Sequence, residues 1–72
     1  MNEIIFEVRY DEEEPGYIAS ALGYDIFTEG ETMEELRQMI REAVKCHFFD
    51  FPIEEQPKAI RLHLVRDELL VA

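Results

Sequence analysis

This chain has one segment with helical periodicity, and segments with strand periodicity lie on both sides of it. Apolar residues recur at every second position of residues 3–10, and a turn-forming Asp-Glu-Glu-Glu-Pro-Gly run follows. Two further short strands are predicted at residues 17–22 and 24–28, and residues 60–65 alternate again after the helix. Since one helix covers only one face of a sheet, the pattern predicts an α+β fold, β-β-β-α-β, with an open sheet face.

The connection through the helix determines the expected strand order. If the first three strands form an antiparallel meander, the fourth strand enters parallel to the first by a right-handed crossover. The predicted order is therefore 3-2-1-4, with the crossover helix packed on one face. A chain of 72 residues supports one domain, residues 1–72, with one small core.

Alternation predicts which strand side chains face the helix. One side of the first strand is apolar and consists of Ile4, Phe6, Val8 and Tyr10. In the second strand, the larger side chains of Ile18 and Leu22 are expected to face the core. The small Ala19 and Ala21 are then expected on the outer face.

The helix is predicted to begin at Thr32 and to end near Phe49. Thr32 and Glu35 have the spacing of a capping box, in which each side chain accepts from the other residue's amide. The residues at helical spacing on its apolar face are Leu36, Met39, Ile40, Ala43, Val44 and His47. Residues 51–57 are expected to form a loop, and residues 69–72 a short terminal strand.

Charge is the main compositional feature. Seventeen acidic and seven basic residues give a net charge of −10. Nucleic acid is a poor partner for such a surface, because phosphate binding needs clustered Lys and Arg. The acidic surface has two possible interpretations. It either steers a basic protein partner toward the chain or only keeps the chain soluble. No apolar run approaches a membrane span, and the single cysteine, Cys46, fits a reducing, cytoplasmic location.

Catalytic and metal-binding patterns are weak. A carboxylate nuclease needs convergent acids, and the acids considered for that role are Glu3, Glu7, Asp25, Glu35 and Asp67. They do not converge in the predicted fold. Cys46 and His47 are adjacent on the helix, so their side chains diverge by about 100°, and His63 lies on a distant strand. We therefore expect no enzyme activity, no metal site and no cofactor, and a small metal-dependent hydrolase remains a third, minor hypothesis.

Residues 16–44, GYIASALGYDIFTEGETMEELRQMIREAV, resemble the HicB-like antitoxin domain. The matching positions are Gly16, Tyr17, Gly30, Thr32 and Glu35, which mark a strand start, a Gly-x-Thr turn and a Glu-rich helix start. The resemblance implies a partial ribonuclease-H-like architecture. It also implies a function, since antitoxins of that family bind and block a small basic ribonuclease toxin. Many carry a second, DNA-binding domain, for which this chain leaves no room after its last strand, so direct DNA binding is not expected.

Self-association is expected because the sheet face opposite the helix is uncovered. The candidate contacts with a partner or with a second copy are Ile5, Phe27, Val65, Phe48, Phe49 and Phe51. The three phenylalanines near the helix end either seal the helix against the sheet or contribute to the contact, and a mixture is favoured. A homodimer, or a pair of dimers, follows from a self-complementary patch.

Two function hypotheses result. The preferred one is a non-enzymatic HicB-like antitoxin-type module that binds a small basic ribonuclease toxin. The alternative is a solitary homo-oligomeric structural or regulatory protein without a toxin partner. A small basic protein encoded by the neighbouring reading frame favours the first.

Overall fold

The computed structural model describes residues 2–72, which form a four-stranded sheet with one long helix against it. The elements are β1 (Glu3–Asp11), β2 (Gly16–Ala21), β3 (Phe27–Gly30), α1 (Met33–Phe48), a short 3-10 helix (Ile53–Glu55) and β4 (Ala59–Leu64). The sheet order is β3-β2-β1-β4, with β4 parallel to β1 and the other pairs antiparallel. The predicted fold class and strand order are confirmed.

The core lies between α1 and one face of the sheet. The helix buries one residue per turn, and these are Leu36, Ile40, Val44 and Phe48. They pack against the alternate residues of β1, which are Ile4, Phe6 and Val8. Ile60 and Leu62 on β4 are only partly buried, because that edge of the sheet lies at the margin of the helix.

The predicted orientation of β2 is wrong. Ala19 and Ala21 are buried on the helix side, where they pair with Val8 and Phe6 of β1. The larger Leu22 is 51% exposed instead. The prediction assumed that the larger side chains of this strand face the core. The register instead places the two alanines beside the core residues of β1.

The helix comes close to β3. A methyl group added at Gly30 would lie 2.7 Å from the Leu36 nitrogen and 2.9 Å from its Cα. Gly30 is therefore needed because backbone meets backbone at this point. The same close approach favours small side chains on the helix side of the neighbouring strand β2.

The two ends of the helix are close to their predicted positions. The Glu35 amide donates to Thr32 Oγ1 at 3.1 Å, so Thr32 is the N-cap. At the other end, Phe48 takes the buried position expected for His47, because a buried row with i, i+4 spacing continues from Leu36 to Phe48. His47 and Met39 are exposed.

Two strand predictions need correction. The third strand begins at Phe27 rather than at residue 24, because Gly23 turns the chain with a φ of 83° and the Ala21 amide donates to the Ile26 carbonyl across the turn. Residues 69–72 form no strand, and Leu69, Leu70 and Val71 are 95%, 78% and 98% exposed. Within the described chain they have no neighbouring strand to pair with.

Candidate protein-binding surface

The sheet face opposite α1 carries the first candidate site, which we call the open face. We define it by Ile5, Glu7, Arg9, Ile18, Ser20, Leu22, Phe27 and Glu29. Cross-strand register places Ser20 between Glu7 and Phe27, and Ile18 between Arg9 and Glu29. Phe27 is 64% exposed, and Leu22 is also more than half exposed. Two large apolar side chains therefore lie among charged ones on a surface that no helix or strand of residues 2–72 covers.

Both arginines on this side of the sheet are engaged in ion pairs. Arg9 Nη2 lies 2.8 Å from Glu7 Oε1, and Arg61 Nε lies 2.9 Å from Glu3 Oε1. The hydrogen bond from Arg61, aided by its charge, holds the pKa of the Glu3 carboxyl below its ordinary value. Each pair sets one arginine beside one carboxylate, so these pairs do not contribute to the excess of negative charge.

Part of that excess lies in a depression beside β2 and β3, which we call the acidic cleft. Its volume is 350 Å³, near the lower end of the range of about 300–1,000 Å³ for ligand clefts. Its carboxylates come from three segments of the chain and are Asp11, Glu14, Glu29, Glu31 and Glu35. Asp11 Oδ1 accepts from the Glu13 amide at 3.0 Å, which holds the β1–β2 turn beside the cleft. Among the described residues, no Lys, Arg or His side chain lines the cleft.

The acidic cleft and the open face are continuous. Ile18 and Glu29 line the cleft and also belong to the open face, where they are cross-strand partners. The exposed Phe27 is two residues from Glu29 on the same edge strand. Carboxylates and an exposed aromatic ring therefore share one surface.

A second concave region, the basic groove, lies between α1 and β4. Its volume is 470 Å³, and its lining contains Arg37, Arg41 and Lys58 but no carboxylate. The apolar floor is formed by Ile40, Val44, Ile60 and Leu62. Arg37 and Arg41 are one helical turn apart, so they line the same side of α1.

The structure separates the predicted contact residues into two regions. Ile5 and Phe27 lie on the open face, and Val65 follows β4 beside it, with its amide donating to the Val8 carbonyl at 2.8 Å. Near the helix end, Phe48 is in the core and Phe49 is 78% exposed. A contact role for these residues stays a prediction, with Phe49 the accessible member of its region.

The aromatic residues around Phe48 form a cluster of their own. Phe48 makes edge-to-face contacts with Tyr24, His47 and Phe51 at centroid distances of 5.3, 4.8 and 4.9 Å. Such pairs stabilise a fold by about 0.5–1.5 kcal/mol each beyond area burial. Phe48 and Phe51 therefore seal the helix end against the sheet, which is one of the two roles that the sequence analysis considered for these phenylalanines.

The residues weighed for metal or nuclease chemistry are dispersed. Among residues 2–72, no three His, Cys, Asp or Glu side chains are arranged to hold a metal ion. Cys46 is a free, exposed thiol. No helix in the described part of the chain is long and apolar enough to cross a membrane.

Sequence reasoning missed the acidic cleft and two members of the open face, Ile18 and Leu22. A signal for the cleft was present, because acidic residues flank both Gly16 and Gly30 in the sequence. Tyr17 pairs with Gly30, which brings the two acidic segments together. The sequence does not give this strand register, so the proximity of the two acidic segments could be recognised only in the structure.

The fold defines a small α+β domain with a mixed four-stranded sheet and one crossover helix. Comparison with known proteins then gives the family. A UPF0150 protein of Thermotoga maritima is 45% identical over 65 residues, which cover 90% of this chain and 86% of that protein. A UPF0150 protein of Archaeoglobus fulgidus is 46% identical over 55 residues, 76% of each chain. The chain belongs to the UPF0150 family.

Two other comparisons found nothing. No family model matches the chain, and no solved structure matches it.

Proposed function

We propose that this protein is a non-enzymatic, HicB-like antitoxin-type module that binds and blocks a small basic ribonuclease toxin. The observation that supports it best is the continuity of the open face with the acidic cleft. The HicB-like resemblance of residues 16–44 adds the expected class of partner. The proposed place of action is the cytoplasm.

The surface has the two properties that a basic protein partner requires. The five carboxylates of the acidic cleft, without a lining cation, favour approach of a positively charged protein and raise its association rate. Phe27 then offers an apolar anchor of the kind that dominates binding energy when it is buried by a partner. Charge would direct the encounter, and the aromatic ring would slow dissociation.

The edge position of β3 adds a further means of recognition. β3 pairs with β2 alone, so its other edge has backbone groups that no strand of the sheet uses. An edge of this kind can accept an extended segment of a partner. Phe27 and Glu29 lie on this strand, so a strand added there would contact both.

The first test is whether a neighbouring reading frame encodes a small basic protein, and its absence there would contradict the proposal. The two proteins are co-expressed, and RNA cleavage by the basic protein is measured with and without this chain. We expect cleavage by the basic protein alone and its loss in the complex. A Phe27→Asp variant should weaken the complex by at least about tenfold, as loss of an interface anchor does.

Phe49→Asp is the matched control, since Phe49 is also an exposed phenylalanine but lies at the far end of the helix. It should leave the affinity unchanged. A complex that fails to form, or one that is weakened by Phe49→Asp and not by Phe27→Asp, contradicts the proposed contact surface.

A further inference from the structure

The C-terminal residues 66–72 are the least buried apolar segment of the structure. Leu69 and Val71 are almost fully exposed, and Leu70 is 78% exposed. Just before them the sequence carries Arg66, Asp67 and Glu68, so the carboxylates outnumber the single arginine. An acidic pair followed by three aliphatic residues is thus largely exposed to solvent.

The basic groove has the complementary composition. It contains three of the seven basic residues of a chain whose net charge is −10. Its floor is aliphatic, and Ile60 and Leu62 on that floor are only half-buried. The segment therefore matches the groove in both respects, with carboxylates for the basic rim and aliphatic side chains for the floor.

We infer that the basic groove is the docking site for residues 66–72 of a second copy of this chain. The inference is independent of the proposed toxin partner. It also places self-association at the β4 edge, away from the open face and from Phe49.

The direction of β4 explains why the segment comes from another copy. Pro57 and Lys58 of the groove lie at the start of β4, whereas residues 66–72 leave from its end. The strand is 6 residues long, which at about 3.3 Å per residue separates its ends by roughly 17–20 Å. The Val65 amide donates to the Val8 carbonyl and continues the direction of the strand. The segment of the same chain would have to reverse at once to reach its own groove.

A two-fold arrangement of two copies removes that difficulty. Within residues 2–72, β4 is an edge strand that pairs only with β1, so its outer edge can pair with a second β4. Antiparallel pairing about a two-fold axis brings the end of one β4 beside the start of the other. Residues 66–72 of each copy then pass Lys58 and Pro57 of the other, which form one end of the groove.

The test is the oligomeric state of the full chain and its variants, measured by sedimentation equilibrium from low micromolar to submillimolar concentration. We expect a dimer for the natural chain. The Leu69→Asp/Leu70→Asp variant should raise the dimer dissociation constant by about 100-fold, the effect of losing central apolar anchors. Unfolding in denaturant should keep the same midpoint at concentrations where both proteins are monomeric, because both leucines are exposed in the single chain.

Leu22→Asp is the matched control, because Leu22 is also an exposed leucine but lies on the open face. It should leave the dimer intact. Charge reversal gives a second line of evidence: Arg41→Glu and Glu68→Arg should each weaken the dimer about fivefold, and the double variant should recover most of the loss.

Three results would overturn the inference. One is a natural chain that stays monomeric over the whole concentration range. Another is a dimer that survives Leu69→Asp/Leu70→Asp. The third is a dimer that Leu22→Asp dissociates while the C-terminal variant does not, which would place the contact on the open face instead.

Discussion

The acidic cleft and the basic groove lie toward opposite edges of one sheet, and the comparison shows how unevenly this chain distributes its charge. The cleft lies beside β2 and β3 and is lined by five carboxylates and no cation. The groove lies between α1 and β4 and is lined by three cations and no carboxylate. The net charge of −10 is a property of the whole chain and does not give the local charge of either region.

The two regions also differ in what supports them. At the cleft, the start of α1 approaches the sheet so closely that Gly30 touches the backbone of Leu36. At the groove, the helix leaves Ile60 and Leu62 partly uncovered. The tightly packed edge thus presents charge to solvent, whereas the loosely covered edge presents an apolar floor. This difference is the reason for assigning a basic partner to one region and a second copy of the chain to the other.

The largest effect is expected from Gly30→Ala, which tests the tight packing beside the cleft. The new methyl group would lie 2.7 Å from a backbone nitrogen, so the helix or the strand must shift. We expect a loss of about 1–3 kcal/mol in the free energy of unfolding, as for other overpacked sites. Denaturant unfolding followed by circular dichroism measures it.

Gly16→Ala is the control for that substitution. Its methyl group would lie 3.2 Å from the Gly30 carbonyl oxygen, a contact that a small shift relieves. The loss should therefore be smaller than for Gly30→Ala. An equal or larger loss at Gly16 would show that close approach of the helix is not what requires glycine at residue 30.

The second prediction separates local charge from total charge. Glu29→Lys/Glu31→Lys places two cations in the acidic cleft, and it should slow association with the small basic partner by about tenfold at low salt. The rate constant is measured by stopped-flow mixing, and the difference should largely vanish near 1 M salt, where the screening length is about 3 Å.

Glu42→Lys/Glu55→Lys changes the net charge by the same amount at exposed residues outside the cleft. It should slow association much less. If both double variants slow association equally, the total charge of the chain governs the encounter and the cleft has no special role.

The third prediction concerns the helix start, which positions both Glu35 at the cleft and Arg37 at the groove. Thr32→Ala removes the hydroxyl that accepts from the Glu35 amide. The expected loss is about 0.5–2 kcal/mol in the free energy of unfolding. Ser20→Ala, at an exposed residue of the open face, should change it by less than about 0.5 kcal/mol. Equal losses in the two variants would contradict a capping role for Thr32.

The smallest effect is expected at the ion pair between Glu3 and Arg61. Because Arg61 lowers the pKa of Glu3 in the folded chain, the pair stabilises the fold above the pKa of Glu3 in the unfolded chain. That contribution is lost as the pH falls through the lower, folded-state pKa. Arg61→Gln should return the pKa of Glu3 toward its ordinary value, as followed by carboxyl carbon NMR during an acid titration. Arg9→Gln, which removes the other arginine pair, should leave the titration of Glu3 unchanged.

Several parts of the fold could be predicted because they rest on local signals. The Thr32 cap, the alternation of Ile4, Phe6 and Val8, and the single helix each follow from neighbouring residues. The strand order followed from chirality and from the position of the helix in the chain. On the candidate surface, the same alternation placed Ile5 and Phe27 on the face opposite the helix, as the structure does.

The orientation of β2 could not be read in the same way. Its sequence places apolar residues on both faces, with Ala19 and Ala21 on one and Ile18 and Leu22 on the other. Periodicity identifies the two faces but not the one that meets the helix. The register with β1 decided it, because it places Ala19 and Ala21 beside the core residues Val8 and Phe6. The close approach of the helix to the neighbouring strand at Gly30 agrees with small side chains on this face.

The sequence by itself determined the elements, their order, the helix cap and the total charge of this protein. Only the tertiary structure decided which residues share a surface. Glu29 and Asp11 are distant in sequence but line one cleft, and Arg41 and Lys58 line one groove, because strand register and helix packing bring them together. Local patterns specify local structure, whereas charge and apolar area act through distances that exist only after folding.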